Sequence, residues 1–137
     1  MSGISELLRS ESDGTLSFGN YELKEKAKLS DFAHEGDIYK VKTYNEITRL
    51  EKNDAFLYES VPGTTVRNLA QDEETISFTV EGDEDAQLTL ELEGSTEYEI
   101  FVDDEAIGAM KTNMSGKLSF GVELEKDKEV NVIVQKA

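Results

Sequence analysis

Three stretches of the chain alternate apolar and polar residues strictly enough to dictate strands. Ile76, Phe78 and Val80 form one series, Leu88, Leu90 and Leu92 a second, and Val130, Val132 and Val134 a third. Each puts every second side chain on one face, which is the period of a half-buried strand and not of a helix. Tyr98, Ile100 and Val102 repeat the pattern, and Ile107 to Met110 and Leu118 to Val122 add two further extended runs. Short turns separate them: Glu81-Gly82-Asp83, Gly94-Ser95, Asp103-Asp104 and Met114-Ser115-Gly116. About six strands in some sixty residues is the spacing of an antiparallel sandwich or barrel. A parallel sheet needs long helical crossovers, and this half of the chain has no room for them. The expected fold is therefore all-β, an antiparallel sandwich.

The first half carries weaker signals. Ile38 to Lys42, Ile47 to Leu50, Ala55 to Tyr58 and Thr64 to Leu69 read as strands, with Lys52-Asn53-Asp54 as a turn. Pro62-Gly63 has the chemistry of a type II turn, a fixed φ followed by a residue that tolerates φ above zero. Lys24 to Lys28, continuing through Asp31, Phe32 and Ala33, reads as a charged connection with room for a brief helical turn. Ser2 to Ser10 is predicted as one or two helical turns, Ser2 capping and Ile4, Leu7 and Leu8 on one side. A helix so short holds only if its apolar side docks, and a flexible arm able to dock on a neighbour is the alternative. The expected division is a small β-rich unit with its N-terminal arm over residues 1–70 and an acidic sandwich over 71–137. Gly14-Thr15-Leu16-Ser17-Phe18-Gly19 is echoed by Gly116-Lys117-Leu118-Ser119-Phe120-Gly121, either a duplicated element or two glycine-bounded strands of convergent pattern.

Charge narrows the partners. The formal net charge is −16. Residues 1–70 hold nine Lys/Arg and twelve Asp/Glu, a net of −3, and residues 71–137 hold five and eighteen, a net of −13. A surface of that sign repels nucleic acid and anionic membranes, so neither is an expected partner. With 137 residues the chain can bury about two-thirds of its unfolded surface and needs no staples. It has no cysteine, which fits a reducing compartment and excludes disulfides and thiolate metal sites. The first residues lack a basic start followed by an apolar run, and no stretch approaches the roughly 18 apolar residues of a membrane helix. The expectation is a cytoplasmic protein.

No catalytic constellation is visible. The single histidine, His34, lies in a polar stretch beside Glu35 and Asp37 and reads as a surface residue without an orienting partner. No phosphate-cradling glycine motif occurs. Three acidic clusters, Asp72-Glu73-Glu74, Asp83-Glu84-Asp85 and Asp103-Asp104-Glu105, fall at strand ends, where turns collect aspartate. If calcium binds, Asp83, Asp85, Asp103 and Asp104 are its expected ligands, since it takes six to eight oxygens. Sugar binding usually needs aromatic platforms. There is no tryptophan, and Tyr39, Tyr44 and Tyr58 are the candidates for a glycan groove, with packing at a seam between β units as the alternative.

Several segments carry a resemblance. Leu16-Ser17-Phe18-Gly19-Asn20-Tyr21-Glu22-Leu23, Asp37 to Thr43, Tyr58 to Thr64 and Met110-Lys111-Thr112-Asn113 together resemble a group of short bacterial proteins often labelled endosialidase. The label implies an activity on sialic polymers. Sialidases carry an arginine cluster and S-x-D-x-G-x-T-W boxes. The nearest stretch here, Ser10 to Thr15, has its aspartate out of place and no tryptophan, and the arginines are Arg9, Arg49 and Arg67 alone, so no catalytic residue carries over. The stretch from Tyr98 to Asp104 through Gly116 to Phe120 is similar to immunoglobulin-like or fibronectin-like modules, which implies a β-sandwich for the C-terminal half. The expected function is contact with protein, through self-association and without catalysis or cofactor. A glycan-binding accessory module, with or without calcium, is the first alternative, and a glycan-degrading enzyme using paired carboxylates is the more distant one.

Overall fold

A computed structural model describes residues 3–137, and the chain is all-β throughout them, with no helix. Its strands are β1 (Leu8–Ser10), β2 (Leu16–Phe18), β3 (Ala27–His34), β4 (Asp37–Thr43), β5 (Thr48–Lys52), β6 (Ala55–Val61) and β7 (Thr65–Gln71). The second half adds β8 (Thr75–Glu81), β9 (Ala86–Glu91), β10 (Glu97–Val102), β11 (Glu105–Lys111), β12 (Lys117–Val122) and β13 (Val130–Lys136). They form two antiparallel sheets, one in the order β1-β2-β7-β8-β13-β10-β11 and the other in the order β12-β9-β6-β5-β4-β3. Both sheets draw strands from either side of residue 70, and β7 runs across that point.

The strict alternations behave as the period-2 rule requires. Ile76, Phe78 and Val80 pair across the first sheet with Val134, Val132 and Val130, and all six are buried. Leu88 and Leu90 of β9 meet Phe120 and Leu118 of β12 in the same way in the second sheet. One cluster of inward side chains fills the space between the sheets. At its centre Tyr58 is fully buried, with Phe18 and Phe78 packed edge-on at centroid distances of 5.3 and 5.6 Å.

The Tyr58 hydroxyl anchors a buried polar chain. It shares a 2.7 Å hydrogen bond with Thr64 Oγ1, which also meets Ser60 Oγ at 2.8 Å. Thr48 Oγ1 donates to the Thr64 carbonyl at 2.8 Å, accepts from the Thr64 amide, and meets Thr43 Oγ1 at 2.8 Å. Thr43 in turn accepts from the Asn20 amide. Buried hydroxyls are tolerable only when partnered in this way.

The N-terminal segment is not a helix. Leu7 adopts φ 71°, outside the helical region, and the chain from Leu8 turns into β1 against β2. Ile4 and Leu8 are buried in the body of their own chain, and the Ile4 amide donates to the Gly19 carbonyl. The apolar residues that suggest a helical face reach the core instead through an extended strand and a turn. The expected cap, Ser2, lies outside the described residues.

Residues 27–34 are likewise strand, the edge of the second sheet. A bulge between Leu29 and Phe32, with Asp31 at φ 60°, breaks the alternation that would have revealed it. Pro62-Gly63 is no type II turn: the Val61–Pro62 bond is cis, and Gly63 lies outside the positive-φ region. Glycine is required there by the close approach of the Tyr44 carbonyl, which a Cβ would strike.

Tight hairpins follow turn chemistry. Glu35-Gly36, Asn53-Asp54 and Asp103-Asp104 each place two residues at positive φ between paired strands, the signature of type I′ turns. The two echoed hexapeptides occupy different sheets. β2 is buried throughout, whereas β12 alternates exposed and buried. What they share is the turn before each strand, in which Gly14 and Gly116 stand at φ 89° and 92° and donate to Glu11 and Asn113.

Turn carboxylates are held ionised by their donors. Thr15 lowers Asp13, Asn53 lowers Asp37, and the Glu74 and Thr75 amides lower Asp72. Ser17 and Arg9 lower Glu11, and Lys136 lowers Glu93. Burial raises Glu81 in the opposite sense. A carboxyl whose folded pKa lies below its unfolded value stabilises the fold above the unfolded value, and that contribution is lost as pH falls through the folded one. Five carboxyls are lowered and one is raised, so the urea midpoint is expected to fall as pH drops below about 4. A midpoint at pH 3 equal to that at pH 7 would contradict this assignment. Tyr58→Phe is expected to cost about 1–2 kcal/mol in urea unfolding. Thr64→Val strands two hydroxyls and is expected to cost more, so a smaller effect than that of Tyr58→Phe would refute Thr64 as the hub.

Candidate functional site

The residues first suspected of ligand chemistry are occupied with structure. Tyr58 is enclosed between the sheets and presents no ring face to a sugar. Tyr39 is also buried, its ring edge-on to His34 at 5.9 Å. Tyr44 alone is half-buried, with Lys26 Nζ 5.9 Å from its ring centroid and Glu46 accepting from its hydroxyl at 3.4 Å. A surface groove lined by all three therefore does not exist. The inward phase of Tyr39 with Val41, and of Tyr58 with Ser60, was the available signal.

The four aspartates belong to two turns. Asp85 Oδ1 accepts from the Leu124 amide at 3.1 Å, and Asp103 Oδ1 from the Asn131 amide at 2.9 Å. Asp104 is the second residue of the β10–β11 turn, and Asp83 lies in the β8–β9 turn beside Glu84. Among the described residues, no group of three or more acidic or histidine side chains is placed to hold a metal ion.

His34 is not a surface residue. It is buried at the end of β3, with Nε2 3.1 Å from the Gly14 carbonyl and Nδ1 2.7 Å from Ser10 Oγ. A carbonyl only accepts, so Nε2 donates to Gly14, while Nδ1 and the Ser10 hydroxyl share the second hydrogen bond. The imidazole thereby clasps the β1–β2 hairpin of one sheet to the edge of the other.

The feature that stands out is the edge strand β11. All seven of its residues, Glu105 to Lys111, are exposed, which is true of no other strand. It forms the last strand of the first sheet, paired on one side to β10 and on the other to nothing among the described residues. Ala106, Ile107, Gly108, Ala109 and Met110 carry no charge, and Ile107 and Met110 are 49% and 38% exposed. A bulge opposite Ile100 and Phe101 leaves Ile107 as the extra residue, and Gly108 sits at φ 137°. Glu105 and Lys111 close the two ends.

The other edges are guarded. β1 has three residues. β3 is bulged and carries Lys28 and Asp31. β12 buries one face and shows only Lys117, Ser119 and Gly121 on the other. Short length, bulges and charge are the usual devices that keep edges from pairing. β11 has the bulge, yet its centre is apolar and solvated on both faces. Comparison of the chain with models of known protein families, with curated proteins and with solved structures finds no match.

Proposed function

We propose that the protein acts without catalysis, by contact with protein, and that it self-associates by pairing β11 with β11 of a second copy. In this reading it is a cytoplasmic, immunoglobulin-like sandwich whose working part is a sheet edge. The single observation that carries the proposal is the order of residues along that edge. Read in either direction from Gly108, the strand has apolar neighbours and then one charge, Glu105 on one side and Lys111 on the other. An antiparallel pair centred on Gly108 sets Glu105 of each copy against Lys111 of its partner, Ala106 against Met110, and Ile107 against Ala109. Opposite charges face each other at both ends, and apolar side chains meet between them.

The same register sets Asp104 opposite Thr112 and Asp103 opposite Asn113, so no like charges are opposed. Main-chain hydrogen bonding along a free edge supplies affinity, and the side-chain order supplies register. Because the opposite edge of the sheet is the three-residue β1, the association closes as a two-fold dimer and does not propagate. The bulge at Ile107 twists the edge, and a copy of the strand carries the same twist.

Light scattering behind size exclusion is expected to give twice 15.3 kDa, with the dimer favoured by added salt, because each copy carries −16. Ile107→Lys is expected to give a folded monomer. Glu105→Lys puts lysine against lysine and weakens the dimer at least tenfold, while Glu105→Lys combined with Lys111→Glu restores it. A wild-type monomer at every concentration would sink the proposal, and an undiminished dimer in Glu105→Lys would sink the register.

A further inference from the structure

We infer that the outer face of the second sheet holds a binding site for a compact multivalent oxyanion of the polyphosphate class, built from Lys28, Lys40, Lys42 and Arg49. These four cations line one depression of about 430 Å³ together with Ser30 and a single carboxylate, Glu51. The depression thus carries four positive groups against one negative, on a chain whose net charge is −16.

The register sharpens the case. Lys28 stands directly opposite Lys42, and Lys42 directly opposite Arg49, so three cations form a row across β3, β4 and β5. Like charges placed opposite each other on one sheet face destabilise the sheet. Neutralisation is incomplete. Glu51 lies 3.5 Å from both Lys40 Nζ and Arg49 Nε, and Glu59 lies 3.7 Å from Arg49 Nη1. Lys28 and Lys42 make no ion pair among the described residues, although Lys42 is half-buried between two other cations. The Arg49 guanidinium also lies against the Phe56 ring of the neighbouring strand, with its Cζ 5.1 Å from the centroid.

Two inter-strand spacings put the ends of the row roughly 10 Å apart, with a cation at the midpoint. That distribution suits an anion whose charge extends over several linked oxyanion groups. Lysine ammonium groups are point charges that accommodate phosphate oxygens without a fixed approach direction, and the one guanidinium, held by Glu51 and Glu59, adds a positioned charge. The bulge in β3 next to Ser30 bends the edge strand beside the depression. This site lies on the opposite sheet from β11, so it stands or falls separately from the dimer.

The test is calorimetric titration and thermal unfolding of the full chain with tripolyphosphate, against sodium chloride at matched ionic strength. Saturating tripolyphosphate is expected to raise the melting temperature by about 4 °C beyond the salt control. Lys42→Thr relieves the repulsion, so it is expected to melt higher than wild type without anion and to lose the tripolyphosphate shift. A lysine with a merely structural role would not give that opposed pair of changes. Lys28→Thr, on the exposed edge strand, is expected to weaken binding at least fivefold and serves if Lys42→Thr fails to fold. A shift no larger than that of matched salt, or an equal shift in the variants, would overturn the inference.

Discussion

The centre of this sandwich is organised around one fully enclosed phenol, that of Tyr58. Tyr58 brings the largest fully buried side chain to the middle of β6, and its ring fills the gap between the sheets against Phe18 and Phe78. Its hydroxyl then demands a partner, because an unpaired buried donor costs about 1–3 kcal/mol. Thr64 supplies it, and burial pushes the phenol far above its ordinary range, so the group stays neutral and donates or accepts as the network needs. Satisfying Thr64 commits Ser60 and Thr48, and Thr48 commits Thr43 and the turn at Asn20. The chain of hydroxyls links β4, β5 and β6 with the segment that leads into β7, which crosses to the other sheet. Thr65 extends it by donating to the Gly19 carbonyl at the end of β2. Apolar packing alone would leave these sheets free to slide. The directional bonds fix their relation.

That network also explains what could be read from the sequence and what could not. The strands of the second half were legible because their inward positions are Leu, Ile, Val and Phe, and period 2 is unmistakable in such residues. In the first half the inward positions include Thr43, Thr48, Ser60 and Thr64, so alternation of apolar and polar residues is blurred where hydroxyls do the packing. The edge strand β3 was hidden for another reason: its bulge shifts the phase between Leu29 and Phe32, and Ala33 is exposed along with the charged Lys28 and Asp31. The N-terminal segment misled because Ile4, Leu7 and Leu8 match a helical face by spacing. Only tertiary contacts with Gly19 and β2 decide that they enter the core as strand and turn. His34 read as solvated because its partners, Ser10 and Gly14, lie 24 and 20 residues away in sequence.

The acidic clusters at the hairpin ends follow turn chemistry. Asp103 and Asp104 sit where both residues need positive φ, and Asp72, Asp85 and Asp103 accept from nearby or facing amides. Aspartate is favoured at such places for its short acceptor side chain. Aspartate supplies six of the eighteen acidic side chains of residues 71–137, and glutamate supplies the other twelve. The same charge has a consequence for association. Copies repel one another, and screening confines that repulsion to about 8 Å at physiological salt, so it acts mainly on surfaces brought into contact.

Two places break local rules that the rest of the molecule keeps. The other edges are short, bulged and charged, or half-buried, whereas β11, bulged too, has an apolar centre open on both faces. Facing charges are opposite in sign at Lys40 and Glu51, and at Arg49 and Glu59, yet of one sign along Lys28, Lys42 and Arg49. Neither departure helps the fold. An apolar solvated strand gains nothing from burial, and a row of cations costs repulsion that threonines would remove. On the two proposals made above, each departure marks a place where something outside the fold is recognised. The two departures differ in kind, one apolar and main-chain, the other ionic. They lie on different sheets, so a partner strand at one leaves the other open. The acidic background bears on both proposals: it discourages indiscriminate sticking of the apolar edge, and it sets the four cations of the depression against a chain of the opposite sign.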